Sequence, residues 1–262
     1  MFRSKYSGLW FLLAIALAIV TFLSFHEGDL SIQGASFKKA PIAQVLLKEA
    51  EQEQLEELAT IHADSAYAPE EVSVDSLPQS IFIFGDSMTY NLALRLAQYA
   101  KQNGHSIHSV NWDSSNTKIW ADYDTLQNCI ARYRPSQIFI SLGSNELFFK
   151  NPEGRLPYVK KILEIIDTIP YVWIGPPNWE KDNGMNDMLA KACRPGSFFR
   201  SEGMDFKRKK DHIHPTRESS ALWIDSIMRW LPKSSHPFLA DVPADSIGRA
   251  NPNIVFLKAL NK

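Results

Sequence analysis

From Ser80 onward, short apolar runs alternate with longer amphipathic stretches. Ser80–Phe84 (SIFIF) is too short for a helix and stops at Gly85. An apolar run of that length, closed by a turn residue, predicts a buried strand. Ser106–Val110, Gln137–Leu142 and Tyr171–Ile174 predict three more. Met88–Gln102 has a helical period, with Leu92, Leu96 and Tyr99 on one side, and Lys118–Tyr133, Leu156–Thr168 and Arg217–Leu231 follow the same rule. Strands alternating with helices predict βαβ units and a mostly parallel sheet covered on both faces. Ligands of such sheets bind beyond the carboxyl ends of the strands. The segments to inspect are Gly85–Ser87, Asn111–Asn116, Gly143–Glu146, Gly175–Asn178 and Asp211–Pro215.

The N-terminus follows a different pattern. Residues 8–25 (GLWFLLAIALAIVTFLSF) carry no charge, close to the ~20 residues that span a bilayer. Arg3 and Lys5 precede the run and Glu27 and Asp29 follow it. Positive charge stays on the cytoplasmic side, so the rest of the chain is expected outside the cytoplasm. A cleaved signal peptide needs a small-x-small site, which Leu23–His26 lacks. Residues 1–27 therefore read as a single-pass anchor in preference to a signal peptide or a buried soluble helix. Residues 28–79 read as a stalk. Within it, Ala43–Ile61 predicts a helix with Val45, Leu46, Ala50, Leu55, Leu58 and Ile61 as an apolar stripe. A stalk helix packing on the domain is preferred there over a partner-binding or dimerising helix. An acidic, Pro-containing linker (YAPEEVSVDSLPQS) follows. Residues 80–232 form the expected domain. Residues 233–262 form a C-terminal extension whose run Ile254–Leu257 adds an edge strand or covers the stalk.

Composition narrows the function. The chain has 262 residues, enough for one or two domains at about 150 each. Its 28 Lys+Arg and 29 Asp+Glu give a net charge of −1, which argues against a nucleic-acid binder. Two cysteines exclude a disulfide scaffold and a multi-cysteine zinc site. Export permits a Cys129–Cys193 bridge, but spacing does not choose between that and two separate thiols.

Four residues in those strand-end segments carry chemistry. Ser87 sits where the first strand turns into the first helix, where free N–H groups and the positive dipole end could stabilise an oxyanion. Asn145 follows the third strand and offers a neutral donor. Asp211 and His214 stand three apart before the last helix, which Thr216 could cap. A serine needs a base, and the base needs a carboxylate to fix its tautomer. Singly, each of these is more often an ordinary turn or cap residue. A metal site from Asp211, His212 and His214 is disfavoured, because no further ligand stands nearby.

Taken in order, Phe84-Gly85-Asp86-Ser87, Gly143-Ser144-Asn145-Glu146 and Asp211-His212-Ile213-His214 resemble the blocks of the SGNH (GDSL) hydrolase superfamily over residues 80–231. The resemblance implies a flavodoxin-like three-layer α/β/α sandwich. It also implies Ser87 as nucleophile, His214 as base, Asp211 as its orienting carboxylate, and no metal or organic cofactor. The backbone N–H of Ser87 and the Asn145 amide would form the oxyanion hole. Two departures stand out. Glu146 replaces the family's usual Asp, a change of little expected weight because the position is not an oxyanion donor. The second block, Asn111–Thr117, lacks the usual glycine. Ser115 is expected to supply its backbone N–H in that glycine's place, ahead of Asn116.

Asn116, Trp112, Asn178 and Trp179, with Trp120 nearby, are the candidate substrate-binding residues, suited to stacking on and hydrogen bonding to a sugar. The alternative for each tryptophan is a core or lid position. The basic run Lys207–Lys210 would attract an anionic polymer or simply be solvated. The leading expectation is an anchored, extracytoplasmic (periplasmic) serine esterase that removes O-acetyl groups from glycans or acts on small esters. An O-acetyltransferase working with a membrane acyltransferase partner, and an inactive glycan-binding module, are the alternatives.

Overall fold

The computed structural model describes residues 12, 13, 15–17, 21, 30–32, 35–37 and 73–259. The chain divides into two compact units, residues 1–70 and 71–262. In the first unit, β1 (Leu30–Ile32) and β2 (Ala35–Phe37) pair antiparallel, with Leu30 opposite Phe37. Residues 12, 13, 15–17 and 21 of the apolar N-terminal run are helical. The rest of the expected anchor and the expected 43–61 helix lie outside the described residues. Among the described residues no helix is long and apolar enough to cross a membrane.

The second unit is an α/β fold built on six parallel strands. They are β3 (Ser80–Gly85), β4 (Ser106–Trp112), β5 (Gln137–Ser141), β6 (Tyr171–Ile174), β7 (Phe198–Phe199) and β8 (Ile254–Leu257), in the order β7-β6-β5-β3-β4-β8. The helices are α1 (Thr89–Gln102), α2 (Thr117–Asp122), α3 (Thr125–Tyr133), α4 (Leu156–Ile166), α5 (Met185–Ala192) and α6 (Arg217–Trp230). Alternation along β3 explains its unbroken apolar sequence. Ile81 and Ile83 face α1 and α6, while Phe82 and Phe84 face the opposite layer, which holds Trp120, Leu126, Val159, Ile162 and Met188. Helices thus cover both faces, consistent with a three-layer sandwich. β3 lies at the middle of the sheet, so the chain leaving it at Gly85 emerges between the ends of β4 and β5.

The expected helix Lys118–Tyr133 is two helices. α2 ends at Tyr123, whose backbone is extended (φ −105°, ψ 147°), and α3 starts at Thr125. Trp120 and Leu126 are both fully buried in one cluster. Six positions apart, they would point about 120° from each other on a continuous helix. The break lets both reach the core. The segment after residue 232, expected as an extension, contributes β8 as the sheet's edge strand, paired with β4 from Ser109 to Trp112. The end of the linker also joins this unit, where Asp75 exchanges backbone hydrogen bonds with Pro237 and Leu239. α5 and β7 carried too little periodic signal to be foreseen. Cys129 and Cys193 are both unpaired, and burial pushes the Cys193 thiol up to about 12.

A polar tie joins α1, which follows Ser87, to α6, which follows His214. Arg95 and Tyr99 of α1 donate to the Asp225 carboxylate of α6, at 2.8 Å from Arg95 Nε and 3.0 Å from the Tyr99 hydroxyl.

Candidate active site

Five chain segments meet at the carboxyl end of the sheet: those after β3, β4, β5 and β6, and the turn before α6. After β3, the Asp86 N–H donates to the Ser141 carbonyl at 3.1 Å, and the Met88 N–H donates to Asp86 Oδ1 at 2.9 Å. Asp86 thus closes a side-chain turn just ahead of the coming helix, whose N-cap is Met88. Ser87 stands two residues ahead of α1, and its N–H donates to no group among the described residues. Close approach demands glycine at 85, because a Cβ there would sit 2.0 Å from the Ser141 carbonyl oxygen.

Ser87 Oγ lies 2.8 Å from His214 Nε2. His214 Nδ1 lies 3.0 Å from Asp211 Oδ2. A carboxylate only accepts, so Nδ1 carries the hydrogen and Nε2 is left to accept from the Ser87 hydroxyl. Asp211 Oδ1 accepts the backbone N–H groups of Ile213 and His214, both at 2.9 Å. Those N–H groups, with the His214 ring, hold the Asp211 carboxyl well below the usual carboxylate range. The turn is closed by the Lys209 N–H on the His214 carbonyl (2.8 Å) and the Thr216 N–H on the Lys207 carbonyl (2.8 Å). It leads into α6, where Thr216 Oγ1 accepts the Ser219 N–H at 3.2 Å. Both ring nitrogens of His214 are thus engaged, by Asp211 and Ser87. Among the described residues no group of three His, Cys, Asp or Glu side chains is placed to hold a metal ion.

After β5, Gly143 adopts φ +117° and starts a single 3₁₀ turn, Ser144–Glu146. This turn presents Asn145, whose Nδ2 donates to the Ser115 carbonyl at 2.8 Å and keeps its second hydrogen available. The second-block expectation is corrected here. The Ser115 N–H donates to the Trp112 carbonyl at 3.1 Å, closing a turn in which Ser114 has φ +58°. It is therefore committed, not available to an oxyanion. The Asn116 N–H donates to no group among the described residues. In a trans peptide, however, the C=O and N–H point in opposite directions. With the Ser115 carbonyl turned to Asn145, the Asn116 N–H points away from it. Of the expected oxyanion donors, the Ser87 N–H and the second hydrogen of Asn145 Nδ2 remain unengaged among the described residues.

The other expected binding residues divide. Trp112 and Trp120 are buried core residues at 4% and 0% exposure, packed edge to face. Their indole N–H groups are consumed by the Lys258 carbonyl and Ser115 Oγ. Neither can stack on a ligand, which corrects the expectation for Trp112. Trp179 is half-buried and reaches the third-block turn, donating to Ser144 O and Oγ at 3.1 Å. Asn178 has φ +24°, and its Oδ1 accepts from Asn186 at 2.9 Å. The Asn116 side chain caps α2 by accepting the Ile119 N–H at 3.1 Å.

Three side chains gain roles that sequence patterning missed. Arg208, one of a basic run, turns inward and donates to the Ile213 and Pro177 carbonyls, tying the His214 turn to the loop after β6. Lys207, Lys209 and Lys210 stay exposed. Glu146, given little weight because the position is not an oxyanion donor, is fully buried and grips Thr117. Asp86, the neighbour of Ser87, is buried, and burial pushes its carboxyl up to about 7, with the Met88 N–H opposing the rise and Glu146 adding to it. Its Oδ2 has no partner among the described residues. Comparison of the chain with protein-family models gave no match, and comparison with curated proteins gave none.

Proposed function

We propose that the chain is a serine esterase of the SGNH type, with Ser87 as nucleophile. The observation that carries this reading is the relay Ser87 Oγ–His214 Nε2 (2.8 Å) and His214 Nδ1–Asp211 Oδ2 (3.0 Å), beside the unengaged Ser87 N–H. The Ser87 hydroxyl attacks an ester carbonyl as Nε2 takes its proton. Asp211 holds the ring and stabilises the imidazolium. Negative charge gathers on the former carbonyl oxygen, facing Ser87 N–H and Asn145 Nδ2. Collapse breaks the C–O bond, His214 protonates the leaving alcohol, and Ser87 keeps the acyl group. A water molecule, deprotonated by His214, then releases the acid.

The finer reading has separate supports. The resemblance implies a flavodoxin-like sandwich, the uncharged run 8–25 and its flanking charges support an N-terminal membrane anchor and an extracytoplasmic location, and the anchor with the aromatic loop favours O-acetyl groups on a glycan as substrate. Trp179, half-buried against the turn that carries Asn145, supports a sugar-facing surface. The transferase alternative draws support from the openness of the relay, since the Asp211 and His214 side chains are 43% and 29% exposed. A sugar hydroxyl with a membrane acyltransferase partner as donor could replace water there.

The test uses the full chain in detergent. Wild type should hydrolyse p-nitrophenyl acetate and accept a fluorophosphonate label, and Ser87→Ala should lose both. A folded wild type that does neither overturns the esterase reading. Acetate release compared with acetylated oligosaccharide separates hydrolysis from transfer.

A further inference from the structure

We infer that Glu146 is a positioning residue for the oxyanion donor Asn145, acting through Thr117 and the Ser115 carbonyl. This rests on the proposed esterase reading of the site.

The Glu146 side chain is fully buried. A buried carboxylate is costly unless donors surround it. Here the Thr117 hydroxyl donates to Oε1 at 2.5 Å and the Thr117 N–H reaches Oε2 at 3.2 Å. Arg155 Nε approaches Oε1 at 3.4 Å, its guanidinium 4.0 Å over the Phe149 ring. Burial pushes the Glu146 carboxyl up, and the Thr117 and Arg155 groups oppose that rise.

The placement of this cluster gives it a role beyond packing. Glu146 follows β5 and Thr117 follows β4, and these strands are not neighbours, because β3 lies between them. Two strand spacings separate them, about 10 Å. The longer Glu side chain therefore reaches past the end of β3, the strand from which Ser87 emerges. A second bridge runs beside the first in the opposite direction, from Asn145 Nδ2 to the Ser115 carbonyl. The two bridges start on adjacent residues, 145 and 146, and end two residues apart, at 115 and 117. They close a ring of covalent and hydrogen bonds. Ser115 is held from its far side by Trp120 Nε1 on its Oγ (2.9 Å) and by its own N–H on Trp112 O.

An Asn amide is planar. Fixing one of its two N–H bonds on a carbonyl therefore fixes where the other points. The Ser115 carbonyl sets that direction, and Glu146 holds the segment carrying it through Thr117. If Glu146 is shortened, or the Thr117 hydroxyl removed, the segment is released and the Asn145 donor loses its aim. The relay of Ser87, His214 and Asp211 shares no bond with this ring and should be untouched.

The experiment compares wild type, Glu146→Asp, Thr117→Val and Thr117→Ser in the full chain, each with and without Asn145→Ala. It reads kcat and KM on p-nitrophenyl acetate, melting temperature, and the side-chain amide NMR signal of Asn145. Glu146→Asp and Thr117→Val should lower kcat about 10- to 100-fold, bounded by the ~10²–10³ cost of losing the donor outright. KM should stay within about twofold, as for an interaction made only in the transition state. Thr117→Ser should restore most of the rate. In the Asn145→Ala background the same changes should cost little, since coupled residues are non-additive. The Asn145 amide should give one sharp signal pair in wild type and Thr117→Ser, and broaden in Thr117→Val. Equal losses of kcat with and without Asn145, or an unchanged amide signal in Thr117→Val, would overturn the inference. If wild type neither turns over nor labels, the esterase reading fails, and the amide signal alone decides whether Glu146 positions Asn145.

Discussion

Ser87 and His214 are 127 positions apart in the chain, yet Oγ and Nε2 meet at 2.8 Å. The fold brings them together through two helices on one face of the sheet. Ser87 precedes α1, His214 precedes α6, and Asp225 of α6 locks onto Arg95 and Tyr99 of α1. Ser87 and His214, the proposed nucleophile and base, are each held by a turn and jointly by the helices behind them. Ser87→Ala and His214→Ala should each reduce ester turnover by about 10⁴-fold or more, and the pair together by little more than either alone. Steady-state kinetics on the single and double variants checks this.

Asp211→Asn should keep the turn and lose the tautomer. An amide Oδ1 can still accept from the Ile213 and His214 N–H groups, but its NH₂ would face Nδ1 and favour a hydrogen on Nε2. The expected result is a kcat reduced by about 10²–10⁴-fold at nearly unchanged melting temperature. Kinetics and thermal melting on the same sample read both.

Asn145→Ala should lower kcat about 10²–10³-fold while leaving KM close to wild type, because the oxyanion exists only beyond the ground state. Its fluorophosphonate labelling should slow in parallel.

Asp86 predicts a pH dependence of stability. Its carboxyl stands at about 7 in the fold against the ordinary 3.8 of the unfolded chain. Between those values the native state binds a proton that the unfolded chain has released. Stability from this group is therefore full below about pH 4 and lost as pH rises through 7. Asp86→Asn keeps an acceptor for the Met88 N–H and removes the buried charge. It should flatten the stability–pH curve over that interval and melt above wild type at pH 8. Denaturant titrations from pH 4 to 8 measure the slope.

Gly85→Ala should fail to fold stably. The added Cβ would meet the Ser141 carbonyl oxygen at 2.0 Å and Thr89 Oγ1 at 2.7 Å. The first is backbone of a central strand and has nowhere to go, so the cost should exceed the ~1–3 kcal/mol of ordinary overpacking. Soluble yield and melting temperature report it.

The sequence alone determined the elements that a period can reveal. Apolar runs such as Ser80–Phe84 and Gln137–Leu142 had to be buried strands, because they are too short for helices and bounded by turn residues. The same order put Ser87, Asn145, Asp211 and His214 just beyond strands or just before the last helix. Only the tertiary structure decided the rest, for reasons of distance and direction. Residues 114–117 gave no periodic signal, and whether the Ser115 N–H is available depends on a turn closed on Trp112. Glu146 carried little weight, because its position is not an oxyanion donor, until its burial and its reach past the end of β3 to Thr117 were visible. Trp112 and Trp120 were compatible with a sugar but read more readily as core or lid residues, and their burial places them in the core. β8 is a four-residue edge strand whose partner, β4, lies more than 140 positions earlier in the chain. A local pattern carries burial and period, but not which distant backbone group will face a given N–H.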